Sequence, residues 1–222
     1  MKKIILGLAI IAGGGLFSFL PAAQNSGLLL GVNVGVPITS PSYGGALNSM
    51  KSGLPSNGIG WAASIDIGYK QALSNNMGLK YYLEYNYNAS YGNKEGGSVM
   101  FSKVKADIKQ QLITLNVDYY FNPTDLFGVY VGLGVGYQTF KPTWTPTMAG
   151  GVTTMTFGGE NKGGLAVPLN LGLTFNVNES NQILIGAKIP LVAYDYKTTV
   201  LTQAANVKLS TYIVQVGYNY TF

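Results

Sequence analysis

The sequence predicts an all-β protein: an eight-stranded, antiparallel, up-and-down transmembrane β-barrel. Three observations carry this expectation. Eight segments alternate apolar with small or polar residues at a period of two, the period of a strand whose two faces differ. The interleaved positions hold too little charge to coat a water-facing surface. Short and long connections follow one another along the chain, as in a barrel with one end inside the cell envelope and the other outside.

Taken in order, the first segment sets Leu28, Leu30, Val32, Val34 and Val36 against Leu29, Gly31, Asn33 and Gly35. In the second, Trp61, Ile65 and Ile67 oppose Ser64, Asp66 and Lys70; in the third, Tyr81, Leu83 and Tyr85 oppose Lys80, Tyr82 and Glu84. The fourth places Ile113, Leu115 and Val117 against Thr114, Asn116 and Asp118, and the fifth places Val129, Val131, Leu133 and Val135 against a row of glycines. In the sixth, Leu169, Leu171 and Leu173 face away from Pro168 and Asn170; in the seventh, Ile185, Ala187 and Ile189 face away from Lys188 and Pro190. The eighth alternates Tyr212, Val214, Val216, Tyr218, Tyr220 and Phe222 with Gln215, Gly217 and Asn219. The runs match the roughly 9 to 11 residues that cross a bilayer as a tilted strand.

A soluble barrel also alternates, but its apolar face points inward and its other face is heavily charged. Here the other face is Gly, Ala, Ser, Thr and Asn with isolated ions, and only 10% of the chain is charged. That face suits a narrow lumen. Tyr69, Phe121, Phe127, Phe175, Tyr218, Tyr220 and Phe222 share one end of their segments and read as an interfacial girdle. Connections 71–76, 122–125 and 177–181 are short, whereas 37–58, 89–111, 141–164 and 192–210 are long, with some of their residues open to extending strands, and are assigned to the cell exterior. An eight-stranded barrel is at the small end, its interior about wide enough to be filled by side chains.

Residues 1–23 read as a cleavable signal peptide: Met1-Lys2-Lys3, an uncharged stretch from Ile4 to Leu20, then Ala22 and Ala23. Residues 24–222 are then a single barrel domain, expected in the cell outer membrane. The 222 residues include no cysteine, histidine or arginine. This removes disulfides, Cys/His metal sites and every histidine-based nucleophile or acid–base pair. No carboxylate pair has the setting of a glycosidase. No catalytic residue, metal or cofactor is expected, and the protein is read as no enzyme. Lysine supplies all 14 basic groups, dispersed, which gives no argument for nucleic acid.

The closing Gly217-Tyr218-Asn219-Tyr220-Thr221-Phe222, with the eight segments and the leader, resembles the small eight-stranded bacterial outer-membrane barrels, the OmpA transmembrane domain, OmpX and OmpW class. The resemblance covers about the whole mature chain. It implies that Tyr218, Tyr220 and Phe222 form the signal read by the barrel assembly machinery. The protein is expected to be a monomer whose partners are outer-membrane lipid, lipopolysaccharide and a host or neighbouring-cell surface. Barrel-type proteases and acyltransferases of that membrane use a histidine that this chain lacks.

Two groups of residues stand out as candidate sites. Asp66, Lys70, Lys80, Glu84, Asp118 and Lys188 face the lumen, either as a paired plug or as a polar path for ions, with partners expected across strands. Pro168 and Pro190 fall opposite each other if 177–181 closes a regular hairpin. Proline cannot donate to a ladder, so either pairing ends there or the wall opens sideways to pass an apolar solute, as in OmpW-like barrels. In the long connections, 141–164 carries Trp144, Met148, Met155 and Phe157 and is expected over the mouth. Lys94, Lys103, Lys105 and Lys109 in 92–109 are expected near lipopolysaccharide. The function expected is non-enzymatic display of extracellular loops, with a narrow pore or lateral channel as the alternative.

Overall fold

The computed structural model describes residues 26–96, 101–148, 150, 156–200 and 202–222. The expected signal peptide, and Met155, lie outside the described residues. Among the described residues eleven strands appear in chain order: β1 (Gly27–Gly45), β2 (Gly58–Ser74), β3 (Met77–Glu95), β4 (Phe101–Phe121), β5 (Phe127–Met148), β6 (Phe157–Gly158), β7 (Lys162–Ala166), β8 (Pro168–Asn176), β9 (Asn181–Pro190), β10 (Tyr194–Val200) and β11 (Gln203–Thr221). A short 3-10 helix, Asn48–Gly53, sits between β1 and β2. β6, β7 and β8 together form one stave of the wall, against β5, and β9 with β10 forms another, against β11. β1 pairs with β11 from Leu29↔Thr221 to Gly45↔Ala205, which closes a ring of eight staves. Closure gives the backbone its partners where lipid offers none.

The apolar residues of the alternating segments point outward. Leu28, Val34, Ile67, Leu83, Leu115, Val131, Leu165 and Val214 are all exposed. Along β5 this band runs from Phe127 to Tyr137, about 33 Å of strand, or roughly 25 Å of height at the usual barrel tilt. That is a bilayer's apolar thickness. Residues 75–76, 122–126 and 177–180 close the narrow end, where both Gly27 and Phe222 also lie.

The strands extend into the long connections further than expected, so that most of their residues are strand. β3 and β4 pair through Lys94↔Val104, and β4 and β5 pair through Val104↔Pro146, well beyond the apolar band. The same strands thus build a second storey above the membrane, with its polarity reversed. Inward positions Val104, Ala106, Ile108, Phe140, Trp144, Tyr196, Val207 and Leu209 form a buried core closed over by Leu47 and Leu54. Outward positions are Lys105, Lys109, Lys141, Thr143 and Lys208. Trp144 and Phe157, expected in a loop, are a core residue and its stacked neighbour, with ring centroids 5.2 Å apart. Burial pushes the Tyr43 phenol up to about 12, so it stays protonated and donates to the Pro55 carbonyl at 2.7 Å.

Candidate functional site

Each of Asp66, Lys70, Lys80, Glu84, Asp118 and Lys188 is buried in the lumen of the membrane storey. The antiparallel registers set Asp66 opposite Glu84, Lys80 opposite Asp118, and Asn170 opposite Lys188. Lys188 of β9 crosses the interior: its Nζ donates to Glu84 Oε2 of β3 at 2.8 Å and to Asn170 Oδ1 at 2.7 Å. Asn170 Nδ2 donates to Asn116 Oδ1 at 3.0 Å and to Asp118 Oδ1 at 3.2 Å, and Tyr82 Oη donates to Asp118 Oδ2 at 2.7 Å. Asn33 Nδ2 donates to Asp66 Oδ2 at 2.9 Å. Glu84, Lys188, Asn170, Asn116, Asp118 and Tyr82 thus form one connected network that ties strands from opposite sides of the ring, with the Asn33–Asp66 bond beside it.

The lysines do not all find carboxylates. Lys80 donates to Gln182 and lies 5.8 Å from the ring centroids of both Tyr120 and Tyr130. Lys70 lies 5.3 Å from the Tyr120 ring. Cation–π attraction supplements the ionic pairing. The tyrosines fit because their neighbours are glycines: a Cβ on Gly186 would overlap the Tyr130 hydroxyl, and one on Gly78 would overlap the Tyr120 hydroxyl. Asn33, Tyr82, Asn116, Tyr120, Tyr130, Asn170 and Gln182 join the site without having been singled out from sequence. Their inward phase was readable; their partners depend on strand stagger.

Pro168 and Pro190 are opposite each other, the last pair of the β8–β9 ladder. One further backbone bond, Leu191 N–H to Val167 O at 2.9 Å, follows. Above it the wall divides. β7 pairs with β5, and β10 pairs with β11. Side chains bridge the seam: Lys162 Nζ donates to the Lys197 carbonyl at 2.7 Å, and Tyr196 Oη to the Glu160 carbonyl at 3.1 Å. Behind the prolines is a cavity of about 20 Å³, room for one water, lined by Gln138, Val167, Pro168, Lys188, Pro190 and Ile213. At the opposite end of the barrel, Tyr218 bonds Asn181, Tyr220 meets Phe222 edge-on at 4.7 Å, and Phe222 N–H reaches Leu28 O at 2.9 Å.

A closed ring of antiparallel strands with a lipid-facing apolar band is the architecture of a bacterial outer-membrane barrel, and the outer membrane is where this protein resides. Residues 9–222 match the outer membrane protein beta-barrel domain, and the chain belongs to that family. No curated protein matches it by sequence. Among solved structures it is similar to Neisserial surface protein A, NspA (12% identity, 90% of this chain and 100% of that one, TM-score 0.52). It is also similar to the outer membrane protein OprG from Pseudomonas aeruginosa (14% identity, 90% and 100%, TM-score 0.51). The outer membrane protease OmpT from Escherichia coli matches at 11% identity over 94% of this chain and 99% of that one, with a TM-score of 0.47. At these identities the likeness is one of fold.

Proposed function

We propose that this protein is a non-enzymatic outer-membrane barrel that holds a rigid, β-structured head at the cell surface for contact with a host or neighbouring cell. The observation that carries the reading is the reversed polarity of the head, which has its own aromatic core of Phe140, Trp144 and Tyr196. That core and the lumen network of Glu84, Asp118, Asn170 and Lys188 block the axis at two levels, which supports a plug over an axial pore. Tyr218, Tyr220 and Phe222 are read as the assembly signal, residues 1–23 as the export signal, and the protein as a monomer.

The test is to shorten the β3–β4 and β4–β5 hairpins to the membrane boundary and measure cell binding. The variant is expected to lose binding while keeping the heat-dependent gel shift of a folded barrel. Undiminished binding would sink the reading, and so would a discrete conductance in planar bilayers that changes in Lys80→Ala and Glu84→Ala.

A second reading, a lateral route for a small apolar solute, is favoured by the proline pair that ends the β8–β9 ladder beside a cavity. The chain has no cysteine, so Gly164→Cys with Tyr194→Cys gives a clean lock across the seam. Oxidation is expected to stop solute uptake and reduction to restore it; uptake indifferent to the lock excludes this route.

A further inference from the structure

We propose that Lys109 and Lys141, on the outer flank of β4 and β5, bind a phosphate group of lipopolysaccharide. The ladder sets the two lysines directly opposite each other, both exposed and both outward. Opposed cross-strand residues have Cβ atoms about 4.5 to 5.5 Å apart, and like charges there destabilise the sheet unless an anion lies between them. The rest of the head avoids this. Lys103 pairs with Glu95 at 2.5 Å, Lys162 pairs with Glu160 at 2.7 Å, and Lys208 faces Asp195 in the β10–β11 register. Only across the β4–β5 flank, among the described residues, does the register face one lysine with another above the membrane.

The height of the pair fits the ligand. Ile113 and Tyr137, opposite each other, form the top of the apolar band. Lys109 is four residues above Ile113, about 13 Å along the strand and roughly 10 Å along the membrane normal, at headgroup depth. The long-connection side faces outward, where the phosphorylated lipid is lipopolysaccharide. Lys105, higher on the same face, lengthens the basic strip. Asp107 lies between Lys105 and Lys109, its Oδ1 buried without a hydrogen-bond partner among the described residues, and subtracts from the strip's charge. Thr143 and Thr145, opposite Asp107 and Lys105, add hydroxyl donors. Lys94 and Lys103, grouped with these lysines by sequence, are not part of the pair, and Lys141 enters from another strand.

The experiment uses the full chain in neutral detergent at physiological salt, titrated with lipopolysaccharide and read by the temperature of its gel shift. Lipopolysaccharide is expected to raise that temperature for the wild type. In Lys109→Gln/Lys141→Gln the half-saturating concentration is expected to rise on the order of 30-fold, since each lysine near an anionic headgroup contributes about a factor of five. Lys109→Arg/Lys141→Arg should keep binding, which separates charge from folding, and Asp107→Asn should tighten it. Lys51→Gln/Lys197→Gln, with equal charge removed elsewhere, should change it little. Equal weakening in that control overturns the proposal. An equal shift from dephosphorylated lipopolysaccharide, or from inorganic phosphate at the same concentration, overturns it too.

Discussion

Strand β5 carries two opposite barrels in one continuous backbone. Below, Val129, Val131, Leu133 and Val135 face out and Tyr130, Gly132, Gly134 and Gly136 face in; above, Thr143 and Lys141 face out and Phe140 and Trp144 face in. The β4–β5 ladder runs through the change from Phe121↔Val129 to Lys103↔Thr147 with no slip in register. Hence the reversal is chemical, not geometric. Hydrogen bonding fixes which way each residue points, and the surrounding solvent decides which direction must be apolar. The two storeys are then held by different forces. The head is stabilised by apolar burial away from water, as any soluble domain is. The membrane storey gains little from hiding apolar groups from lipid, and relies on its backbone ladder, its fit to the bilayer and the polar network inside.

That contrast is open to direct attack. The largest effects should come from the two interiors. Glu84→Ala leaves the Lys188 ammonium buried without its carboxylate and should cost about 3 to 5 kcal/mol in unfolding from lipid vesicles. Converting both partners to apolar residues of similar size should recover most of that loss. A double variant as unstable as the single one would show that the pair is not the source.

Trp144→Ala should cost about 3 to 5 kcal/mol, but locally. Amide exchange should accelerate across residues 139–147 while residues 127–137 keep their protection. Uniform acceleration over the whole strand would mean the storeys fold as one unit.

The outward faces give a smaller effect and a sharper sign. Val131→Lys puts a charge against lipid near mid-band and should cost about 2 to 4 kcal/mol. Thr143→Lys, twelve residues along the same strand and outward in the same phase, should stay within about 0.5 kcal/mol. Equal costs would remove the membrane boundary from where the polarity changes. Smallest is the seam: Pro168→Ala with Pro190→Ala restores two backbone donors and should alter stability by under about 1 kcal/mol. Its signature is protection of the new amides at 168 and 190, with Leu191, already bonded to Val167 O, unaffected; fast exchange at both would mean that no neighbouring strand offers them an acceptor.

Much of the lower storey was legible. Alternation at a period of two placed Asp66, Glu84, Asp118 and Lys188 inward, and counting back from the 177–181 turn placed Pro168 opposite Pro190. The head was not read, although its signal was present: Lys103, Lys105, Asp107 and Lys109 alternate with Val104, Ala106 and Ile108. Lysine outward and valine inward is the soluble phase, so a search for the membrane phase passes over it. The lumen contacts were out of reach for a different reason. Lys188 meets Glu84 across the interior from a strand that is not a neighbour of β3 in the ring, at a sequence separation of 104. Which carboxylate faces which lysine follows from the stagger at closure, a property of all eight staves together.

By itself the sequence determined the class of fold, because a strand's two faces and a bilayer's thickness are both written in local periodicity and run length. It also showed that the given chain holds no cysteine, histidine or arginine, so no disulfide or imidazole chemistry arises within it. Only the tertiary structure decided that the long connections are a second barrel with a core of its own. It alone decided that the lumen is bound by Lys188, that the wall splits above two prolines, and that Lys109 confronts Lys141. Each is a relation between distant segments, and register and closure are set by the assembled sheet, not by any segment within it.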